Sequence, residues 1–264
     1  MDNVVVYALL ATLGTWALTA LGAATVFCFR NPNPKTLNGM LGFASGVMIA
    51  ASFWSLLQPA IERAENTLSF PTWLVVLLGF LSGVLFMWIS DKIVTHAQCK
   101  STYPSEKRTN RILMLVLAIT LHNIPEGLAV GVAFGALYAG GYTVEALMGA
   151  LTIAVGIGLQ NFPEGAAVSL PLRREGYSRK RSFFWGQASG MVEPAAGVLG
   201  AAMVVYIETI LPFALAFAAG TMILVAVHEL IPECQQNQDA NPYFATMGIV
   251  CGFALMMVLD VALG

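Results

Sequence analysis

Apolar residues fall in eight long stretches along this chain, at roughly 4–29, 37–61, 71–93, 111–136, 143–171, 182–206, 209–232 and 242–262. A run of about 20 apolar residues is what an α-helix needs to cross the hydrocarbon core of a bilayer. The pattern therefore predicts an all-α membrane protein of eight transmembrane helices, read as a single domain over 1–264 with almost no chain left for a soluble part. The polar residues between stretches are unevenly signed. One set of connections holds Arg30, Lys35, Lys92, Lys100, Lys107, Arg108, Arg111, Arg173, Arg174, Arg179, Lys180 and Arg181, whereas the other holds only Arg63. Basic residues stay on the cytoplasmic side, so loops 1–2, 3–4, 5–6 and 7–8 are expected in the cytosol and both termini outside, extracellular or periplasmic. The opening MDNVVVY lacks the basic region of a signal peptide, so the first stretch reads as a retained helix.

The chain also resembles itself. FASGVMI at 43–49 returns as FAAGTMI at 217–223, and LGAATV at 21–26 as LGAAMV at 199–204. Gly79, Gly83, Met87 and Asp91 return as Gly248, Gly252, Met256 and Asp260. Small-residue matches are common in membrane helices, but three in the same order at offsets of 174, 178 and 169 form a repeat. Spans 1–3 (about 4–93) then recur as spans 6–8 (about 182–262), with spans 4 and 5 (about 111–171) between them. Three is odd, so the second copy enters the bilayer from the opposite side. The expected plan is a 3+2+3 inverted repeat, the construction from which many secondary transporters build two access states.

Spans 4 and 5 carry one motif twice: HNIPEG at 122–127 and QNFPEG at 160–165. Residues three and four apart share a helix face, so His122 and Asn123 stack over Glu126, and Gln160 and Asn161 over Glu164. Pro125 and Pro163 lack the N–H that would bond the carbonyls of Leu121 and Leu159. These carbonyls are left for water or a cation, while Gly127 and Gly165 permit close helix approach. A third mid-span carboxylate, Glu193, sits in MVEPAAG of span 6. A charge at mid-bilayer costs at least about 2.5 kcal/mol, and no Lys or Arg occupies the centre of any span. The counter-charge must be protons or a bound cation. Imidazole with carboxylate and amide oxygens suits Zn²⁺, Mn²⁺ or Fe²⁺ better than Ca²⁺ or Na⁺, and Glu126 and Glu164 can each bridge, which leaves one metal or two open. A lone intramembrane His or Asn is ordinarily an interhelical hydrogen-bond partner and a lone proline a kink; the doubled motif with Glu193 and no basic partner argues against so plain a reading.

Further polar residues lie towards the helix ends. VAVHELIPEC in span 7 holds His228, Glu229, Glu233 and Cys234, but Pro232 stands where an HExxH zinc protease needs its second histidine. A metal relay or exit site and an ordinary cytosolic helix end both fit. Glu62 and Asp260, at outer ends, draw cations in or simply mark the interface. Ser55 and Met48 lie within span 2; Met48 offers a soft ligand or plain packing. His96 and Cys99 belong to a solvated loop. Charged residues make up 11% of the chain, against about 25% in soluble proteins, and the net charge of −2 gives no reason to expect a nucleic-acid partner. The four cysteines show no framework spacing and read as free thiols.

At these motifs the chain resembles the ZIP (Zrt/Irt-like) divalent-metal transporter family, in its bacterial GufA-like branch, across all eight spans. HNIPEG, QNFPEG, MVEPAAG and HELIPE carry the resemblance. It implies a mid-membrane metal site of His122, Asn123, Glu126, Gln160, Asn161, Glu164 and Glu193, with Met48 as a further ligand. It also implies a cytosolic exit at His228 and Glu229 and an outer entrance at Glu62 and Asp260, with Ser55 nearby. Some relatives have an acidic residue where this chain has Asn161, so the number of metals stays open. The family implies a homodimer in the inner or plasma membrane, importing Zn²⁺ with tolerance of Cd²⁺, Fe²⁺ and Mn²⁺, in which spans 1, 4, 5 and 6 move against 2, 3, 7 and 8. On this reading the chain is not an enzyme and takes no cofactor beyond the transported metal. The rivals are an intramembrane metallohydrolase using the same ligands, a passive metal channel, and an organic-solute carrier, the last disfavoured by the lack of a basic anchor.

Overall fold

The computed structural model describes residues 2–28, 33–67, 69–98, 104–139, 142–174, 176–206, 208–235 and 243–263; within these, the side chains of 94–98, 104–119 and His122, among others, lie outside the described residues. The described chain is helical, with short turns between helices. Helix α1 is Asp2–Cys28; α2 runs Pro34–Ala51, passes through a π-helical turn at Ser52–Leu57, and continues as Gln58–Thr67. Helices α3 (Thr72–Gln98), α4 (Pro104–Ala139) and α5 (Val144–Arg174) follow. Helix α6 comprises Arg179–Ala188, a 3₁₀ turn at Ser189–Met191, and Val192–Tyr206. Helix α7 comprises Leu211–Val225, a π turn at Ala226–Leu230, and Ile231–Gln235; α8 is Tyr243–Leu263.

Local chemistry sets several of these ends. Asn33 accepts from Lys35 N at 3.0 Å, and Pro34, which has no N–H to leave unpaired, starts α2. Gly176, at φ 90°, closes α5: its N–H reaches Arg173 O and that of Tyr177 reaches Leu172 O, a left-handed turn that satisfies the last carbonyls. Ser178 then caps α6 by accepting from Arg181 N at 3.3 Å. Six segments among the described residues are long and apolar enough to cross a membrane: Asn3–Cys28, Lys35–Asn66, Thr72–Ile93, Val144–Leu170, Leu211–Gln235 and Tyr243–Ala262. The two expected spans missing from this set are those at 111–136 and 182–206. Side chains through 119 in the first lie outside the described residues. The second is divided by its 3₁₀ turn into pieces of 10 and 15 residues.

Glycines decide which helices interlock. In α2, Gly46 faces the backbone of Ile249 in α8, and in α7 Gly220 faces that of Phe80 in α3. Gly252 of α8 meets Phe43 of α2, just as Gly83 of α3 meets Phe217 of α7. A methyl group at any of the four would overlap a neighbouring carbonyl oxygen. The positions in α2 and α7 are 174 apart and those in α3 and α8 are 169 apart, the offsets of the sequence repeat. The π turns at Ser52 and Ala226 also begin 174 positions apart. A second rule concerns grouping. Glycine-to-backbone approaches join α1, α4, α5 and α6 with one another, α2 with α8, and α3 with α7. Between these groups Gly156 of α5 meets a flexible side chain instead, the thioether of Met256.

Polarity is arranged inside out. Thr12, Thr15 and Thr19 of α1, Asn123 and Glu126 of α4, Gln160, Asn161 and Glu164 of α5, and Glu193 of α6 are buried, while Leu10, Leu77, Leu81, Leu85, Val250 and Val258 are exposed. Apolar surface outside and carboxylates inside is the arrangement a bilayer selects.

Candidate metal centre

Each copy of the motif is continuous helix, since α4 runs through Pro125 and α5 through Pro163. The motif glycines admit the neighbouring helices. A Cβ on Gly127 would stand 2.6 Å from the carbonyl oxygen of Glu193 in α6, and one on Gly165 would overlap that of Thr19 in α1. The four helices thus close around the motif carboxylates.

The centre is dense in oxygen. Gln160 Nε2 donates to Glu126 Oε1 at 2.7 Å, and Asn123 Nδ2 donates to the carbonyl of Ser189, in the 3₁₀ turn of α6, at 2.8 Å. Asn123 Oδ1, Glu126 Oε2, Gln160 Oε1 and Asn161 Oδ1 are buried with no hydrogen-bond partner. A buried polar atom left unpaired costs about 1–3 kcal/mol, and these four share one polarity: all are acceptors, and all lie on the two motifs. Glu164, 7% exposed, lies within electrostatic range of Glu126, Glu193 and Glu229. No Lys or Arg is among the buried described residues. Protons or a bound cation would supply the positive charge such a centre lacks.

The expected ligands are treated unequally. Asn123 and Glu126 of α4 and Gln160, Asn161 and Glu164 of α5 are all buried, and Gln160 joins the two helices through Glu126. The His122 side chain lies outside the described residues, and among the described residues no three His, Cys, Asp or Glu side chains gather at metal-binding distance. The described donor set is therefore two glutamates with amide oxygens. Glu193 is buried but engaged: Asn161 Nδ2 reaches both its oxygens at 2.9 Å, Thr15 Oγ1 donates to Oε2, and Thr19 Oγ1 to Oε1 at 3.4 Å. Met48, 1% exposed, packs in the main apolar cluster with Val47, Ile157 and Met256.

On the side expected to face outward, Ser55, Glu62 and Asp260 line one cavity of about 560 Å³. Ser55 Oγ donates to Asp260 Oδ1, and Glu62 accepts from Gln58 Nε2 at 3.1 Å. The cavity reaches Ala133 and Ile153, each seven residues, or about 10 Å of helix rise, from Glu126 and Gln160. At the opposite end His228 Nε2 stands 3.9 Å from Asp91 Oδ2. Sequence reasoning did not select Asp91 as a site residue, although a signal was available, since Asp91 is the repeat counterpart of Asp260. Both π turns carry residues expected at the two ends of the path, Ser55 in one and His228 with Glu229 in the other.

A family model described as ZIP zinc transporter matches residues 3–111 and 95–260. The chain belongs to the ZIP zinc transporter family. Zinc transporter ZIP11 of Bos taurus is 41% identical over 336 aligned residues, covering 97% of this chain and 97% of the relative. Zinc transporter ZIPB of Bordetella bronchiseptica is 39% identical over 262 residues, covering 98% and 82%. Zinc transporter GufA of Myxococcus xanthus is 36% identical over 260 residues, covering 97% and 98%. As a ZIP protein the chain is a multi-pass membrane transporter and not an enzyme, which removes the metallohydrolase alternative.

Proposed function

We propose that this chain imports divalent metal, chiefly Zn²⁺, into the cytoplasm across the inner or plasma membrane, through a mid-membrane site on α4 and α5. The observation that carries the proposal is the set of four buried, unpartnered acceptor oxygens beside Glu126 and Glu164, with no Lys or Arg buried among the described residues. A divalent cation supplies what the oxygens lack and neutralises the two carboxylates. His122, by family resemblance, adds a nitrogen ligand. Cd²⁺, Fe²⁺ and Mn²⁺ are accepted by the same donor types.

The chain acts as one unit of eight spans in a 3+2+3 inverted repeat, with both termini outside and the basic loops in the cytosol. The matched glycine contacts and matched π turns at the repeat offsets support that plan. Metal enters by Glu62, Ser55 and Asp260, crosses the central site, and leaves by His228, Glu229 and Asp91. Access alternates as α1, α4, α5 and α6 move against α2, α3, α7 and α8. In support, glycine-to-backbone interlocks among the described residues are confined within those two sets, so sliding between the sets disturbs side chains rather than these close backbone contacts. The functional particle is a homodimer.

Radiometric zinc uptake by the purified protein in vesicles, with competing Cd²⁺, Fe²⁺ and Mn²⁺, tests the reading. Saturable uptake lost in Glu126→Ala is the expected result. Rates that fail to saturate would identify a channel, and absence of zinc uptake by the wild type would overturn the proposal.

A further inference from the structure

Glu193 differs from the two motif glutamates in its company. It is fully buried, yet both its oxygens are taken up: Oε1 by Asn161 Nδ2 at 2.9 Å and Thr19 Oγ1 at 3.4 Å, Oε2 by Asn161 Nδ2 at 2.9 Å and Thr15 Oγ1. A carboxylate offers about four acceptor positions, and four contacts use them. Glu126, by contrast, keeps Oε2 without a partner.

The surroundings are built for this engagement. Thr15 and Thr19 are four apart on α1 and so share a face, and both are buried. The 3₁₀ turn that precedes Glu193 contains Gly190, whose Cβ, if present, would stand 2.9 Å from Glu193 Oε1 and 3.0 Å from Thr19 Oγ1. A side chain there would push the carboxylate off the threonines. Asn161 Nδ2 also lies 3.3 Å from the carbonyl of Thr15, which fixes the amide with its nitrogen towards Glu193 and α1 and its oxygen turned away, unpartnered.

A zinc ion on Glu193 would need an oxygen at about 2.0–2.2 Å. The amide nitrogen already occupies that side of both oxygens, and an N–H donor and a cation cannot share it. Charge leads to the same conclusion. One divalent ion neutralises Glu126 and Glu164, whereas two ions would set four positive charges against three carboxylates.

We propose that Asn161, Thr15 and Thr19 clasp Glu193 in the place a second cation would otherwise fill, so that the centre carries one divalent ion at a time, on Glu126, Glu164 and the free amide oxygens. Asn161, Thr15 and Thr19 are positioning residues for Glu193, and the clasp ties α1, α5 and α6 into one body. This inference rests on the central site being where the metal binds.

Equilibrium dialysis of the purified protein against Zn²⁺, with the metal-to-protein ratio measured, tests the two separately. Glu126→Ala should lose one equivalent relative to wild type; no loss would overturn the central site itself. Glu193→Gln should keep the wild-type ratio, and Asn161→Asp, which replaces the donor by a second acceptor, should gain one equivalent. If Glu193→Gln loses an equivalent, or the wild type already matches Asn161→Asp, the clasp is wrong while the site stands. Infrared difference spectra of the carboxylate bands on zinc addition give a second readout that folding alone does not move. Paired Thr15→Val and Thr19→Val should bring a new metal-responsive carboxylate into the spectrum, and paired Thr15→Ser and Thr19→Ser should not. Identical spectra from the Val and Ser pairs would overturn the role of the hydroxyls.

Discussion

Gly165→Ala is the smallest change that should disable the centre. The added methyl would overlap the carbonyl oxygen of Thr19 and stand 2.9 Å from Ala23 N, where ordinary contact begins at 3.4 Å. Relief requires α5 and α1 to separate by more than about 1 Å, because the opposing atoms are backbone and not a flexible side-chain tip. Overpacking of this kind costs about 1–3 kcal/mol. The separation also stretches the bonds from Asn161 to Glu193, now 2.9 Å, and to Thr15 O, now 3.3 Å, and a hydrogen bond to a charged group contributes about 1.5–3 kcal/mol. The expected total is about 3 kcal/mol or more. Gly14→Ala on α1 is the control, since nothing lies within 4 Å of its added Cβ and alanine is the better helix former by about 1 kcal/mol. Thermal unfolding in detergent and zinc uptake in vesicles should both separate the two variants, with Gly165→Ala losing stability and transport and Gly14→Ala retaining both. Equal behaviour would refute the claim that the PEG glycines exist to admit α1 and α6.

Three other changes are informative. Gln160→Leu removes the 2.7 Å bond to Glu126 and one free oxygen; by the worth of a hydrogen bond to a charged group it should weaken half-saturating zinc about tenfold or more, measured by uptake at graded zinc. Asp91→Asn should lower the maximal uptake rate while leaving the melting temperature almost unmoved, because His228 and Asp91 are 60% and 34% exposed and such pairs contribute about 0–1 kcal/mol. Deleting Phe53 from the π turn of α2 should leave a folded protein, since removing one residue from a π bulge restores α-helical register; deleting Met40 from the regular part of the same helix should not, as fluorescence-detected size-exclusion profiles would report.

Much of this molecule is legible in its sequence because bilayer chemistry writes large signals. Apolar stretches mark helices, and the doubled PEG motif marks a buried cluster of carboxylates and amides, the place proposed for the metal. The repeat was legible through glycines, and those same residues turn out to bring the backbones together. What escaped has physical causes. A π turn needs no particular residue, so SFWSLL and AVHEL carry no warning. The 3₁₀ break before Glu193 depends on Gly190 meeting Thr19 from another helix, a contact invisible along the chain. Thr15 and Thr19 look like ordinary membrane-helix threonines, which bond their own carbonyls, as Thr15 also does to Thr12 O at 3.0 Å. Their reach to Glu193 is a tertiary fact.

The frame and the centre obey different symmetries, a difference with a use under the proposed transport cycle. In the frame, α2 with α8 and α3 with α7 repeat the contacts of Gly46 and Gly220, Gly252 and Gly83, and Gly248 and Gly79 at the sequence offsets, and two ends built alike can exchange open and closed roles at little difference in energy. The centre repeats only in outline. Both motif asparagines turn the amide nitrogen to α6, but Asn123 finds the carbonyl of Ser189 while Asn161 finds the carboxylate of Glu193. Position 122 is histidine where position 160 is glutamine, and that glutamine bonds Glu126, the glutamate of the other copy. A symmetric frame makes the two access states comparable. Under the proposed transport cycle, an asymmetric centre would give an ion one best position and one set of ligands while the helices around it change sides.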